Sequence, residues 1–164
     1  MTIGKNKMTA DKALVKLETL CAGAERCSYE LLQKLYKWQI NQSDAEKIMA
    51  SLENRGFVND ERFTKSFIHD KITFDRWGPR KIAVALAQKR IDSRLIRESL
   101  AEVDENVIKE NLMHILKVKL KDSLEYLNNF DFRAKLFRFL IARGYSSKDI
   151  SDAINNLRNS LNEE

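Results

Sequence analysis

Basic side chains are densest between residues 76 and 97, where Asp92 is the only acid. Gly78 permits a close backbone approach, and Pro79 suits the first position of a helix, whose free amides could hold a phosphate or a carboxylate. A basic helix start beside an aromatic ring is typical of anion or nucleic-acid contacts. We therefore predict a surface that binds a protein partner or DNA, formed by Arg76, Trp77, Arg80, Lys81, Lys89, Arg90, Arg94 and Arg97.

The same residues allow a simpler interpretation. A row of charges can be a solvated face that keeps a helical protein soluble. Trp77 fits a packing role at a junction between structural units better than it fits base stacking.

A second basic cluster follows, with aromatic residues interleaved. Most of these aromatics fall at core positions by their periodicity, and some could remain exposed for a partner. The basic members are Lys117, Lys119, Lys121, Arg133, Lys135, Arg138 and Arg143, and the aromatic members are Tyr126, Phe130, Phe132, Phe137 and Phe139.

The sequence gives no sign of a catalytic or metal site. It contains no phosphate-binding glycine string and no Gly-x-Ser-x-Gly motif. Cys21 and Cys27 are the only cysteines, and a zinc site would need two further ligands. The two histidines, His69 and His114, lie far along the chain. We expect a protein that is not an enzyme and that has no cofactor and no metal.

Composition indicates a helical protein. The chain has 164 residues, of which 43% are hydrophobic and 32% are charged, with only 5 Gly and 1 Pro. So few helix breakers disfavour sheets. The net charge of +5 permits contact with an anionic partner without requiring one. No secretory signal or membrane-spanning window is found, so we expect a cytoplasmic monomer with reduced thiols.

Sliding the sequence on itself reveals a repeat. A shift of 54 positions superimposes Ile82, Leu86, Ile91, Ile96, Leu100 and Val103 on Leu136, Leu140, Tyr145, Ile150, Ile154 and Leu157. A shift of 51 in the other direction gives Leu31, Leu35, Ile40, Ala45, Met49 and Leu52. In each unit an apolar residue stands between two helices (Ile40, Ile91 and Tyr145), and a polar residue that can cap a helix follows it.

These patterns predict an all-α fold of three tandem three-helix repeats, 9–58, 59–104 and 105–162, in an elongated, curved array that is right-handed or irregular. They predict nine helices. One would run without a break from Glu105 to Leu127, and another would begin at Ser43 with a capping box formed with Glu46.

Three segments resemble the RecX family. Gly56 to Phe63, with Asp60 and Arg62, is similar to its first motif, and Trp77-Gly78-Pro79-Arg80-Lys81-Ile82 is similar to its next. The segment from Phe139 to Ser146, with Arg143 and Gly144, resembles its closing motif. The family often has glycine before the apolar residue of each turn. Here Gln39 and Arg90 hold two of those places, which leaves the turn geometry there open.

The resemblance implies a regulator of the RecA recombinase in DNA recombination, DNA repair and the SOS response. Family members bind along the RecA filament and usually inhibit its ATPase, strand-exchange and co-protease activities. Many also touch single- or double-stranded DNA.

A DNA-binding module of tandem helix-turn-helix units is the alternative. It would require basic residues on the helix that follows the turn in each repeat, whereas Glu46, Glu53, Asp149 and Asp152 lie there. We therefore rank it second.

Overall fold

The computed structural model describes residues 7–121 and 123–162, and all the regular secondary structure in these ranges is helical. Within them lie nine α-helices and one short 3-10 helix. The α-helices are α1 (Ala10–Gly23), α2 (Ser28–Lys37), α3 (Gln42–Asn54), α4 (Asp60–Thr73), α5 (Pro79–Gln88), α6 (Ser93–Ala101), α7 (Glu105–Leu120), α8 (Phe130–Ala142) and α9 (Ser147–Asn162). The all-α prediction is confirmed.

The helices associate in threes. The third helix of each group packs against the two before it: α3 against α1 and α2, α6 against α4 and α5, and α9 against α7 and α8. Residues from α1 to Val58 form one hydrophobic core, and the later helices share a second core that continues from α4 to α9. The accessible surface of 11090 Å² exceeds the roughly 8400 Å² typical of a compact protein of this mass. An elongated array has this property.

The turn between the second and third helices is the same in all three groups. The residue two positions after the end of each second helix has a positive φ: Gln39 (58°), Arg90 (58°) and Gly144 (99°). Its amide donates to the carbonyl three residues earlier, at 2.9, 3.0 and 2.9 Å. The next amide donates to the carbonyl five residues earlier, at 3.0, 3.2 and 3.2 Å. This pair of bonds is the Schellman motif, which satisfies the last carbonyls of a helix.

The apolar residue after each turn is buried. Ile40, Ile91 and Tyr145 are 8%, 6% and 0% exposed. The residue that follows caps the third helix: Asn41 accepts from the amide of Asp44 at 2.8 Å, and Asp92 accepts from that of Arg94 at 2.9 Å. The repeat found in the sequence therefore reflects one kind of helix-to-helix turn that occurs three times. Gln39 and Arg90 retain the geometry that glycine favours.

Two details of the prediction were wrong. Helix α3 begins at Gln42 with Asn41 as its cap, so Ser43 lies inside the helix. The turn causes this, because Ile40 must be buried and the next residue then starts the helix. Helix α7 ends at Leu120, not Leu127.

The end of α7 was hidden by its apolar spacing. Lys121 has a φ of 48°, which stops the helix, and a 3-10 helix, Leu124–Asn128, follows. Leu127 still reaches the core at 1% exposure. Leucines three residues apart share a face in a 3-10 helix as well as in an α-helix, so periodicity alone did not reveal the break.

We predict that Gln39→Gly stabilises the protein. A side chain in the left-handed region costs roughly 1–2 kcal/mol, and glycine removes that strain while losing some unfolded-state entropy. The free energy of unfolding, measured with urea, should rise by about 0.5–1 kcal/mol.

Gln33→Gly, the same replacement at an exposed position inside α2, is the control. It should lower the free energy of unfolding by about 1 kcal/mol. If both variants lost stability equally, Gln39 would not have the left-handed conformation in solution.

Candidate partner-binding surface and the junctions that position it

The loop that precedes α5 lies against the turn between α8 and α9. The amide of Gly78 donates to the carbonyl of Arg143 at 2.7 Å, and the amide of Arg80 donates to that of Gly144 at 3.1 Å. A Cβ atom at Gly78 would lie 2.3 Å from the carbonyl carbon of Gly144, and one at Gly144 would lie 2.5 Å from the amide of Lys81. Neither position has room for a side chain.

This contact removes the anion site expected at the start of α5. Pro79 has no amide hydrogen, and the amides of Gly78 and Arg80 already bind carbonyls of the third repeat. Close backbone approach at Gly78 is confirmed, but the approaching group is Gly144 and not a ligand. That part of the prediction was wrong, since sequence could not show that another repeat would fill the place.

Three more bonds join the second and third repeats. The hydroxyl of Tyr145 donates to the carbonyl of Arg76 at 2.7 Å, and the guanidinium of Arg143 donates to the carbonyl of Asp75. The side-chain amide of Asn111 donates to the carbonyl of Ile72 at 3.0 Å. Burial raises the pKa of Tyr145 to about 12, against the opposing effect of the charges on Arg143 and Arg76.

The first and second repeats are joined by the motif that follows Gly56. Asp60 accepts from the amide of Ser28, the first residue of α2, at 2.7 Å. Arg62 donates to Glu25 at 2.5 Å and to the carbonyl of Gly56 at 3.0 Å. Phe63 is buried at 6% exposure. The residues that suggested a family are therefore the residues that hold neighbouring repeats together.

A row of lysines and aromatic rings runs between the two junctions. Trp77 is half-buried against the core, and the ammonium groups of Lys71 and Lys81 lie 4.7 and 4.1 Å from its ring. Lys89 lies 5.8 Å from the ring of Phe63 and pairs with Glu30 of the first repeat. Cation–π contacts of this kind stabilise by about 0.5–1 kcal/mol at exposed sites. Trp77 thus packs at the junction between repeats.

The eight candidate residues fall into two groups. Trp77, Lys81 and Lys89 make the contacts just described, and Arg94 pairs with Glu98 on its own helix at 2.7 Å. In the part of the chain that the structure describes, Arg76, Arg80, Arg90 and Arg97 make no ion pair. Arg80, Arg90 and Arg97 are also exposed, so their charges are available to a partner.

Sequence reasoning missed Lys71 and Glu30. Lys71 lies outside the basic run, and its position near Trp77 depends on how α4 meets the following loop. Glu30 lies 59 residues from its partner Lys89, so nothing local in the sequence indicated the pair.

The described residues contain neither a cluster of metal ligands nor a helix suited to cross a membrane. Among the described residues, no group of three or more His, Cys, Asp or Glu side chains could hold a metal ion. No helix in those ranges combines the length and the apolar character that a membrane crossing requires.

A fold of three-helix repeats joined by these junctions matches known proteins. Residues 59–100 match the family model described as RecX, second three-helix domain. A regulatory protein RecX from Vibrio campbellii is 32% identical over 130 residues, which cover 77% of this chain and 79% of that protein. This chain belongs to the RecX family of regulatory proteins.

Other relatives are longer. A regulatory protein RecX from Finegoldia magna is 27% identical over 74% of this chain, and one from Clostridium beijerinckii is 29% identical over 76%. These matches span 60% and 58% of the two relatives, so the chain covers about three-fifths of their length.

Solved structures share the fold. A crystal structure of RecX from Lactobacillus salivarius superimposes with a TM-score of 0.77 at 19% identity, covering 91% of this chain and 96% of that one. A second crystal structure of a regulatory protein RecX gives 0.72 at 24% identity, covering 87% and 71%. Together they confirm the tandem three-helix architecture.

We predict that Gly78→Ala strongly destabilises the junction. The backbone of Gly78 has a φ of −78°, which alanine adopts freely, so only the clash with Gly144 matters. Forcing a methyl group into a filled space costs about 1–3 kcal/mol, and urea unfolding should show this loss.

Gly23→Ala tests the same replacement where nothing lies within 4 Å. Its stability should stay at or above that of the wild type, because alanine is the better helix former. Equal stability of the two variants would mean that the glycines do not touch in solution.

We predict that Tyr145→Phe lowers stability near neutral pH by about 1 kcal/mol, the value of one hydrogen bond. The folded pKa of about 12 lies above the usual value for tyrosine. At a pH below the usual tyrosine pKa the wild type keeps all of its extra stability over the variant. As the pH rises through 10 towards 12, the tyrosine ionises in the unfolded state before it does in the folded state, and the extra stability is lost. The difference in the free energy of unfolding between the wild type and the variant should therefore decrease over this pH interval. A constant gap would mean that Tyr145 is solvated.

Proposed function

We propose that this protein binds the RecA recombinase filament on DNA and inhibits its ATPase, strand-exchange and co-protease activities. Membership of the RecX family carries this proposal, through the activity that the resemblance implies. The elongated array supports it, since a long surface suits a filament better than it suits a small ligand.

The exposed arginines give this surface its chemistry. Arg80, Arg90 and Arg97 lie on α5, on the turn and on α6 of the second repeat, and none pairs with an acid among the described residues. Arginines that make no intramolecular ion pair can form bidentate bonds with carboxylates of a partner. We assign the contact with the filament to this group, with Arg76 and Arg94 at its margin.

The helix-turn-helix alternative finds less support. Glu46 and Glu53 are exposed on α3, and on α9 Asp152 is engaged by Lys148. Helix α6 carries two arginines, Arg94 and Arg97, and Arg94 pairs with Glu98. The basic residues of α3 and α9, which are Lys47, Lys148 and Arg158, lie on the same helices as those acids. A recognition helix rich in carboxylates would repel phosphates.

ATP hydrolysis by RecA on single-stranded DNA is the direct test. Titration of the wild-type protein should abolish hydrolysis well below one copy per RecA. The variant Arg80→Glu/Arg97→Glu should require roughly tenfold more protein for the same inhibition, because reversed charges oppose docking.

Lys12→Glu/Lys47→Glu is a matched control, with the same change of charge at two exposed positions of the first repeat. It should inhibit as the wild type does. If folded wild-type protein had no effect even in excess, the inhibitor proposal would be wrong. Steep salt-dependent binding to a preferred duplex sequence would then favour the DNA-binding module.

A further inference from the structure

An open groove of about 620 Å³ lies between α8 and α9 of the third repeat. Three large apolar side chains line it: Phe130, Phe137 and Ile154. Three basic side chains border it: Arg133, Arg138 and Arg158. The volume lies in the range of about 300–1,000 Å³ usual for ligand sites.

Phe130 is surplus to the needs of the core, whereas Phe137 and Ile154 are half-buried and pack against it. Helix α8 already buries Leu136 and Leu140 at 5% and 0% exposure. Phe130, at the start of the same helix, is 72% exposed. A helix that buries one face needs no further apolar residues on another, so an exposed phenylalanine beside a groove indicates a binding surface.

The charged residues that line the groove are all basic. Its lining contains no acidic residue. Arg133 is held in place by a bond to the carbonyl of Leu127 at 3.2 Å, and its guanidinium lies 5.8 Å from the ring of Phe130. Among the described residues, Arg138 and Arg158 have no ion-pair partner.

The groove is particular to the third repeat. The shift of 54 positions places Ala83, Val84 and Asp104 of the second repeat where Phe137, Arg138 and Arg158 stand. The second repeat therefore folds without the two arginines and with a smaller apolar residue in place of Phe137, so the fold does not explain the presence of Arg138 and Arg158.

We propose that this groove binds an acidic amphipathic helix of the protein partner. Its apolar side chains would enter between α8 and α9, and its carboxylates would meet the three arginines. A protein segment fits better than a nucleic acid, because Phe137 and Ile154 are half-buried against the core and only Phe130 presents an open ring on which a base could stack. This inference rests on the proposed function and assigns the helix to the recombinase.

The first test compares binding of full-length variants to RecA filaments on single-stranded DNA. Arg138→Glu/Arg158→Glu should weaken binding at least tenfold, since both charges would then repel the acidic helix. Lys135→Glu/Lys148→Glu makes the same change of charge at exposed positions of the same two helices, outside the groove lining. The control should bind within twofold of the wild type.

The second test identifies the occupant. A photo-crosslinking amino acid at Ser151, which is exposed and lines the groove, should join to a RecA segment whose acidic and apolar residues alternate at helical spacing. Cross-links to the DNA, to a second copy of this chain or to a RecA segment without acids would overturn the inference.

The outcomes separate the two proposals. If the wild type fails to bind filaments, the proposed function and the groove assignment are both wrong. If the wild type binds and the Arg138→Glu/Arg158→Glu variant binds equally well, the groove assignment alone is wrong.

Discussion

The backbones of Gly78 and Gly144 touch, and the arrangement of the second and third repeats depends on that contact. With no Cβ atom at either position, the amide of Gly78 in the α4–α5 loop and the amide of Arg80 in the first turn of α5 bind carbonyls of the α8–α9 turn. The loop is then fixed at the point where it carries Arg76 and Trp77, and the hydroxyl of Tyr145 secures the same loop from the other side. The placement of Arg76 and Trp77 therefore depends on a contact between two residues that have no side chains.

The three turns distinguish two reasons for a glycine at this position, which are a positive φ and a lack of space for a side chain. Gln39, Arg90 and Gly144 share the left-handed conformation, so backbone strain of roughly 1–2 kcal/mol is tolerated twice. Gln39 and Arg90 are exposed, whereas Gly144 meets another backbone. Glycine is present at the turn where a neighbouring backbone leaves no space for a side chain. Other residues are present at the two turns where only the positive φ is unusual. The contact between repeats, rather than the turn, explains the glycine of the closing motif.

Much of the fold could be predicted from the sequence, because apolar period, caps and the repeated Ile40, Ile91 and Tyr145 are local signals. The end of α7 could not, since Leu124 and Leu127 keep a spacing that suits two kinds of helix. The loss of the α5 anion site could not either, because the carbonyls that fill it come from residues more than 60 positions away. For the same reason the pairing of Lys89 with Glu30 is visible only in three dimensions.

Motif resemblance and partner contact point to different residues in this chain. Asp60, Arg62 and Gly144 use their polar groups to join repeats, and a partner that bonded to the same groups would compete with those contacts. Side chains outside such bonds, such as Arg80, Arg97 and Arg138, can change without loosening a junction. The motif residues therefore set the relative placement of the repeats, and the surface proposed to recognise a partner lies on arginines outside those contacts.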